Sequence, residues 1–166
     1  MTTKQFLPLP YGKDVYSELK GKECYFVDKT PYLKELIDKD KSNVMLFTRP
    51  RRFGKTLFMS MVEYFLKINS ANPGDTILQQ KLFKDTKILE DREICAKYMG
   101  QHPVISLTLK GVQGKTFKAA YYKLAELIVA KANEYSFLKD SQNLNDKEKA
   151  KFDLLCDEMY LKRADE

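Results

Sequence analysis

Residues Arg49-Pro50-Arg51-Arg52-Phe53-Gly54-Lys55-Thr56 combine the residue types that phosphate chemistry needs. Gly54 lets the main chain approach an anion closely. Lys55 supplies a point charge suited to the β/γ oxygens of a nucleotide, and the Thr56 hydroxyl suits Mg²⁺. The backbone amides of Arg51, Arg52, Phe53, Gly54, Lys55 and Thr56 would form the cradle. The start of the following helix adds positive dipole at the same spot. Arg49, Arg51 and Arg52 crowd the turn with charge, which is costly unless an anion is near. The stretch departs from the usual phosphate-loop pattern at one place. Glycine is expected five residues before Gly54, and Arg49 stands there, a residue that requires an ordinary negative φ. Gly-Lys-Thr alone is weak evidence; an apolar strand before it and an amphipathic helix after it are the context the motif demands.

Two other stretches imitate phosphate chemistry. Gly111-Val112-Gln113-Gly114-Lys115-Thr116 has its glycines too close together to encircle a phosphate, and reads as a turn with Lys115 in solvent. Leu154-Leu155-Cys156-Asp157-Glu158 imitates an apolar strand ending in a Mg²⁺-binding Asp-Glu pair. Asp153 breaks that run, and Phe152, Leu155, Met159 and Tyr160 keep helical spacing, so a helix is expected.

The elements that would position the loop follow from periodicity. Residues 1–22 form an extended arm punctuated by Pro8, Pro10, Gly12 and Gly21, with a helical turn near Asp14–Leu19. Cys24–Val27 reads as a short strand. Thr30-Pro31 opens a helix running to Lys39. Val44–Thr48 is apolar at nearly every position, as in an interior parallel strand. Lys55–Lys67 is a helix with Leu57, Phe58, Met61, Val62, Phe65 and Leu66 on a wide stripe. Shorter helices follow at Thr76–Phe83 and Glu90–Met99, then a strand at Pro103–Leu109, a long helix at Thr116–Tyr135, and a last helix opened by Asn143–Asn145. Alternating strands and helices predict an α/β fold of the three-layer phosphate-loop type, with an incomplete parallel sheet flanked by helices. With only two clear strands and one short one, residues 1–166 read as the N-terminal part of a single domain.

The formal charge of +6 suits anionic ligands, nucleotides or nucleic acid. Cys24, Cys95 and Cys156 lie far apart, and His102 is the sole histidine, so no zinc set has the usual spacing. The expected state is reduced thiols in a cytoplasmic protein. No apolar run approaches the ~20 residues that span a bilayer, and no membrane partner is expected.

Four blocks resemble the AAA-ATPase-like proteins common in Bacteroides-type gut bacteria and other anaerobes. Leu9-Pro10-Tyr11-Gly12 with Tyr25-Phe26-Val27-Asp28-Lys29-Thr30 resembles the family's opening. Arg49–Thr56 is similar to its unusual RPRRFGKS/T loop, which makes Arg49 a family trait. Leu82-Phe83 with Lys87-Ile88 and the His102-Pro103-Val104-Ile105 segment match two further blocks; Thr108 stands where the family usually has Asp. The resemblance implies a P-loop NTPase fold, with ATP and Mg²⁺ as cofactors. It also implies an Asp-Glu (Walker B) strand beyond Glu166, so this chain would bind nucleotide but hydrolyse it poorly. Family members often end in a restriction-endonuclease-like nuclease domain, through which nucleic acid would become a partner.

Asp28, Lys29 and Thr30 have two readings. One places them beside adenine or ribose. The favoured one is a strand-to-helix junction with Thr30 as cap and Asp28–Lys29 as a local pair. For the whole chain the leading expectation is an ATP-binding fragment of an AAA-like ATPase. The alternative is a nucleic-acid-binding module using Arg49, Arg51, Arg52 and Lys55 on backbone phosphates, helped by aromatic stacking. An ATP-sensing switch that signals by assembly is a third option and would make the protein an oligomer.

Overall fold

Helical periodicity is realised almost everywhere the sequence carries it. In a computed structural model, the structure describes residues 7–22, 24–38 and 44–157. The α-helices are α1 (Tyr16–Lys20), α2 (Pro31–Asp38), α3 (Lys55–Leu66), α4 (Ile77–Leu82), α5 (Arg92–Tyr98), α6 (Phe117–Glu134) and α7 (Asp146–Cys156), with 3-10 turns at Lys87–Glu90 and Ser136–Asp140. Lys39, Asn43, Glu158, Met159 and Tyr160, which entered the expectations above, lie outside the described residues.

The expected parallel sheet is overturned. The described residues are helical and contain no β-strand, so the α/β three-layer phosphate-loop fold is not what this chain adopts. The strand-like runs at 24–27, 44–48 and 103–109 join no ladder. One parallel bridge, Lys67 to His102, is the sheet-like pairing among the described residues. The physical reason lies in what an apolar run encodes. It records a preference for burial, but a strand also needs a neighbour for each N–H and C=O. Here the helix faces supply the core, while Val44, Leu46, Ile105 and Leu109 remain 66–86% exposed.

The chain divides into two compact units, Met1–Val104 and Ile105–Glu166. In the first, Tyr16, Leu33, Met61, Phe65, Phe83 and Ile88 are buried together. Phe83 is the centre, with its ring 4.9 Å from Tyr16 and 5.3 Å from Phe65. Edge-to-face and tilted rings at such spacing add attraction beyond the area they bury. The far end of α3 is fixed by the segment after α5. Gly100 donates to the Phe65 carbonyl at 2.8 Å and His102 to that of Leu66 at 2.9 Å. Gly100 makes this turn at φ +68°, where an added Cβ would meet Thr76 Cγ2 at 3.0 Å. The buried Gln79 side chain donates to the Lys67 carbonyl at 2.8 Å and ties α4 to the same point.

In the second unit α6 packs on α7, burying Ala125 and Val129. Thr116 caps α6 by accepting the Ala119 N–H at 3.2 Å. Asn145 and Glu148 form a reciprocal capping box at the start of α7. The Asp-Glu look-alike is therefore helical through Cys156, as its spacing predicted. The second glycine-rich look-alike is the turn into α6, with Lys115 exposed.

Candidate phosphate-binding loop

The 12-residue helix α3 is held by its apolar side, with Met61 and Phe65 buried. Its first turn is fixed by Phe58, whose ring lies 5.4 Å from that of Phe47. The segment entering the loop and the helix leaving it are thus packed together.

Between them the chain turns sharply. Gly54 is the N-cap residue of α3 with φ 77° and ψ 24°, and no side chain caps the helix. In that left-handed conformation glycine carries no Cβ penalty. The first helical bond runs from the Phe58 N–H to the Gly54 carbonyl at 2.9 Å. The earlier amides of an α-helix have no partner within the helix and point outward from its start. Arg52 also has positive φ, 67°, whereas Arg49 does not. The residue standing in place of the expected glycine therefore has the ordinary backbone it needs.

Lys55 points back across the turn. Its ammonium donates to the carbonyl of Arg49 and, at 3.1 Å, to that of Pro50. Arg49 Nη1 donates to the Thr48 carbonyl at 3.2 Å. Arg51, Arg52, Phe53 and Thr56 are exposed. Gly54, Lys55 and the Arg49–Pro50 carbonyls are thus brought together, while the Arg51, Arg52, Phe53 and Thr56 side chains face outward from the turn.

A further cation arrives from another segment. A Cβ placed on Gly54 would lie 3.6 Å from Lys29 Nζ. The residues on either side of Lys29 are anchored. Asp28 accepts the Thr30 N–H through Oδ1 and the Lys87 N–H through Oδ2, both at 2.9 Å. Burial pushes the Asp28 carboxyl up, but the Lys87 and Thr30 hydrogen bonds and the Lys87 charge outweigh it and hold the group below the ordinary value. Thr30 is fully buried and accepts the Ile88 N–H at 3.2 Å. The Asp28-Lys29-Thr30 segment is thus a structural junction, clamped to the 3-10 turn Lys87–Glu90. Its exposed middle residue is the one whose place beside Gly54 sequence reasoning missed. No local pattern signalled it, since the clamps on Asp28 and Thr30 come from Lys87 and Ile88, far along the chain.

Next to this junction a cavity of about 230 Å³ is lined by Tyr25, Phe26, Lys29, Leu57, Phe58 and Met61, among others. Its walls are apolar apart from Lys29 and the tyrosines.

The donor set fits a phosphate chain: an uncapped helix start, a left-handed glycine and two ammonium groups. Among the described residues no cluster of three or more His, Cys, Asp or Glu side chains could hold a metal ion.

Comparison with known proteins settles the family. The model of the predicted AAA-ATPase family matches residues 10–165. The chain belongs to the predicted AAA-ATPase family. Among curated proteins, this AAA-ATPase-like chain is similar to the uncharacterized protein of the vnfD 5′ region of Azotobacter chroococcum mcd 1. The two are 27% identical over 121 residues, which is 72% of this chain and 20% of that protein. The AAA-ATPase-like chain thus spans about a fifth of the length of the curated relative it matches. No solved structure matches it. Among the described residues no helix is long and apolar enough to cross a membrane. Cys24, Cys95 and Cys156 are free thiols. Burial and the nearby Asp91 charge raise the pKa of Cys95, which makes it a poor nucleophile.

Proposed function

We propose that residues 49–56 grip the phosphates of ATP·Mg²⁺. The observation that carries this reading is the turn itself. Gly54 opens an uncapped α3 in left-handed geometry, and Lys55 reaches back over the Arg49 and Pro50 carbonyls. Lys55 would exchange those carbonyls for the β/γ oxygens. The amides of Arg51, Arg52, Phe53, Gly54, Lys55 and Thr56 would surround the phosphates, and Thr56 would ligate Mg²⁺. Membership of the predicted AAA-ATPase family supports ATP as the nucleotide. Where an Asp-Glu pair completes the Mg²⁺ shell and orients water, the same grip would serve ATP hydrolysis.

Calorimetric titration of ATP·Mg²⁺ into wild type and Lys55→Ala tests the reading. Micromolar binding by wild type and loss of most of it in the variant is the expected result. Equal affinity in both, or no binding in either, would sink it.

One observation favours a second reading. Phe53 is 59% exposed beside the exposed Arg49, Arg51 and Arg52, a stacking platform with cations around it, as single-stranded nucleic acid requires. On that reading affinity falls steeply with salt, and ATP protects against heat no better than sulfate at equal concentration.

A further inference from the structure

We propose that Lys29 is a second phosphate-contacting cation of this site, facing the same phosphates as Lys55 from a different segment. This rests on the phosphate-grip reading above.

The position is specific. Lys29 Nζ lies 3.6 Å from the point where a side chain on residue 54 would begin. Glycine leaves that point open, so a phosphate oxygen lying against Gly54 comes within reach of the ammonium. The backbone of Lys29 is held from both sides. Asp28 is tied to Lys87 and Thr30, and Thr30 to Ile88. Because the main chain at this point is fixed by its flanking residues, only the side chain needs ordering when an anion arrives, which lowers the entropic cost of the contact. The adjacent Asp28 carboxylate is occupied by backbone amides, and no ion pair of Lys29 occurs among the described residues. With Lys55 and three arginines in the neighbouring turn, the Lys29 charge adds to a positive field that an anion relieves.

Lys29 also borders the apolar cavity beside α3. A role toward an apolar ligand group there is the competing placement, and the test separates the two.

The full chain is titrated with ATP·Mg²⁺ and with tripolyphosphate·Mg²⁺, as wild type, Lys29→Gln, Lys29→Arg and Lys55→Ala. The proposal expects Lys29→Gln to weaken both probes alike by about tenfold, roughly 1.4 kcal/mol, and Lys29→Arg to recover most of that loss. ATP·Mg²⁺ should also shield Lys29 from acylation in the wild-type protein, a readout that needs no variant. If Lys55→Ala loses binding while Lys29→Gln binds both probes like wild type, the Lys29 role fails and the phosphate grip stands. If Lys29→Gln weakens ATP but not tripolyphosphate, Lys29 serves the cavity and the proposal is overturned. If wild type binds neither probe, both readings fail together.

Discussion

The hydroxyl of Thr30, fully buried at the start of α2, accepts the backbone N–H of Ile88 at 3.2 Å. This bond holds the 3-10 turn Lys87–Glu90 against α2, and a methyl group cannot replace it. Thr30→Val keeps the shape but leaves a buried amide without its acceptor, which costs about 1–3 kcal/mol. Thr30→Ser keeps the acceptor and should lose less than half of that. Urea unfolding followed by circular dichroism gives both values; equal stability of the Val and Ser variants would show that the bond contributes nothing.

Asp28 gives the same junction a pH dependence. Its carboxyl is held below the ordinary value, because hydrogen bonds from the Lys87 and Thr30 amides overcome the effect of burial. A depressed folded-state pKa means that the folded state favours the carboxylate. The stabilisation is complete above the unfolded value near ~4. It is lost as pH falls below that and through the folded value. Wild type should therefore lose more stability between pH 6 and pH 3 than Asp28→Asn does. Melting curves across that range check the difference; parallel curves would remove Asp28 from the account.

Arg52 separates stability from binding. Its φ of 67° is uncommon for a residue with a Cβ. Arg52→Gly trades relief of that conformation against the greater chain entropy of glycine, so stability should stay within about 1 kcal/mol of wild type. A β-branched residue there is strained, and Arg52→Val should cost about 1–3 kcal/mol. If the loop grips phosphate, Arg52→Gly also weakens ATP·Mg²⁺ by losing one charge, with the melting temperature of the protein alone nearly unchanged. Isothermal titration and thermal unfolding of the same preparations decide it, and a stable Arg52→Val variant would contradict the backbone argument.

These positions also show what could be read from the chain. The spacing of Leu57, Phe58, Met61, Val62 and Phe65 gave α3 to within a residue, because an amphipathic stripe records both helix and buried side. The start of α7 was legible for the same local reason, since caps act within one turn. The strands were not. Val44–Thr48 and Pro103–Leu109 are apolar enough for a sheet, yet pairing depends on partners elsewhere in the chain that no local pattern specifies. The links from Asp28 and Thr30 to Lys87 and Ile88 are equally non-local, so DKT read as a helix start with a neighbouring ion pair or as a segment beside adenine or ribose, and not as a clamp on a distant turn. The approach of Lys29 to Gly54 was hidden too, because it brings together residues 25 positions apart in the chain. The loop's residue types were visible at once, whereas the backward reach of Lys55 and the ordinary φ of Arg49 needed coordinates.

The capping box of α7 provides a test confined to the second unit. The Asn145 side chain accepts the Glu148 N–H at 3.0 Å, and Glu148 Oε2 accepts the Asn145 N–H at 2.9 Å. Asn145→Ala removes the acceptor for an otherwise orphaned amide and should cost about 1 kcal/mol. Glu148→Gln keeps the reciprocal bond but loses the favourable charge at the helix N-terminus, so it should cost less, about 0.5 kcal/mol. Because the box lies in Ile105–Glu166, its loss should speed amide hydrogen exchange in α7 and leave α3 and the Gly54 turn unchanged. Hydrogen exchange read by mass spectrometry resolves the two regions; faster exchange in both would show that the two units unfold as one.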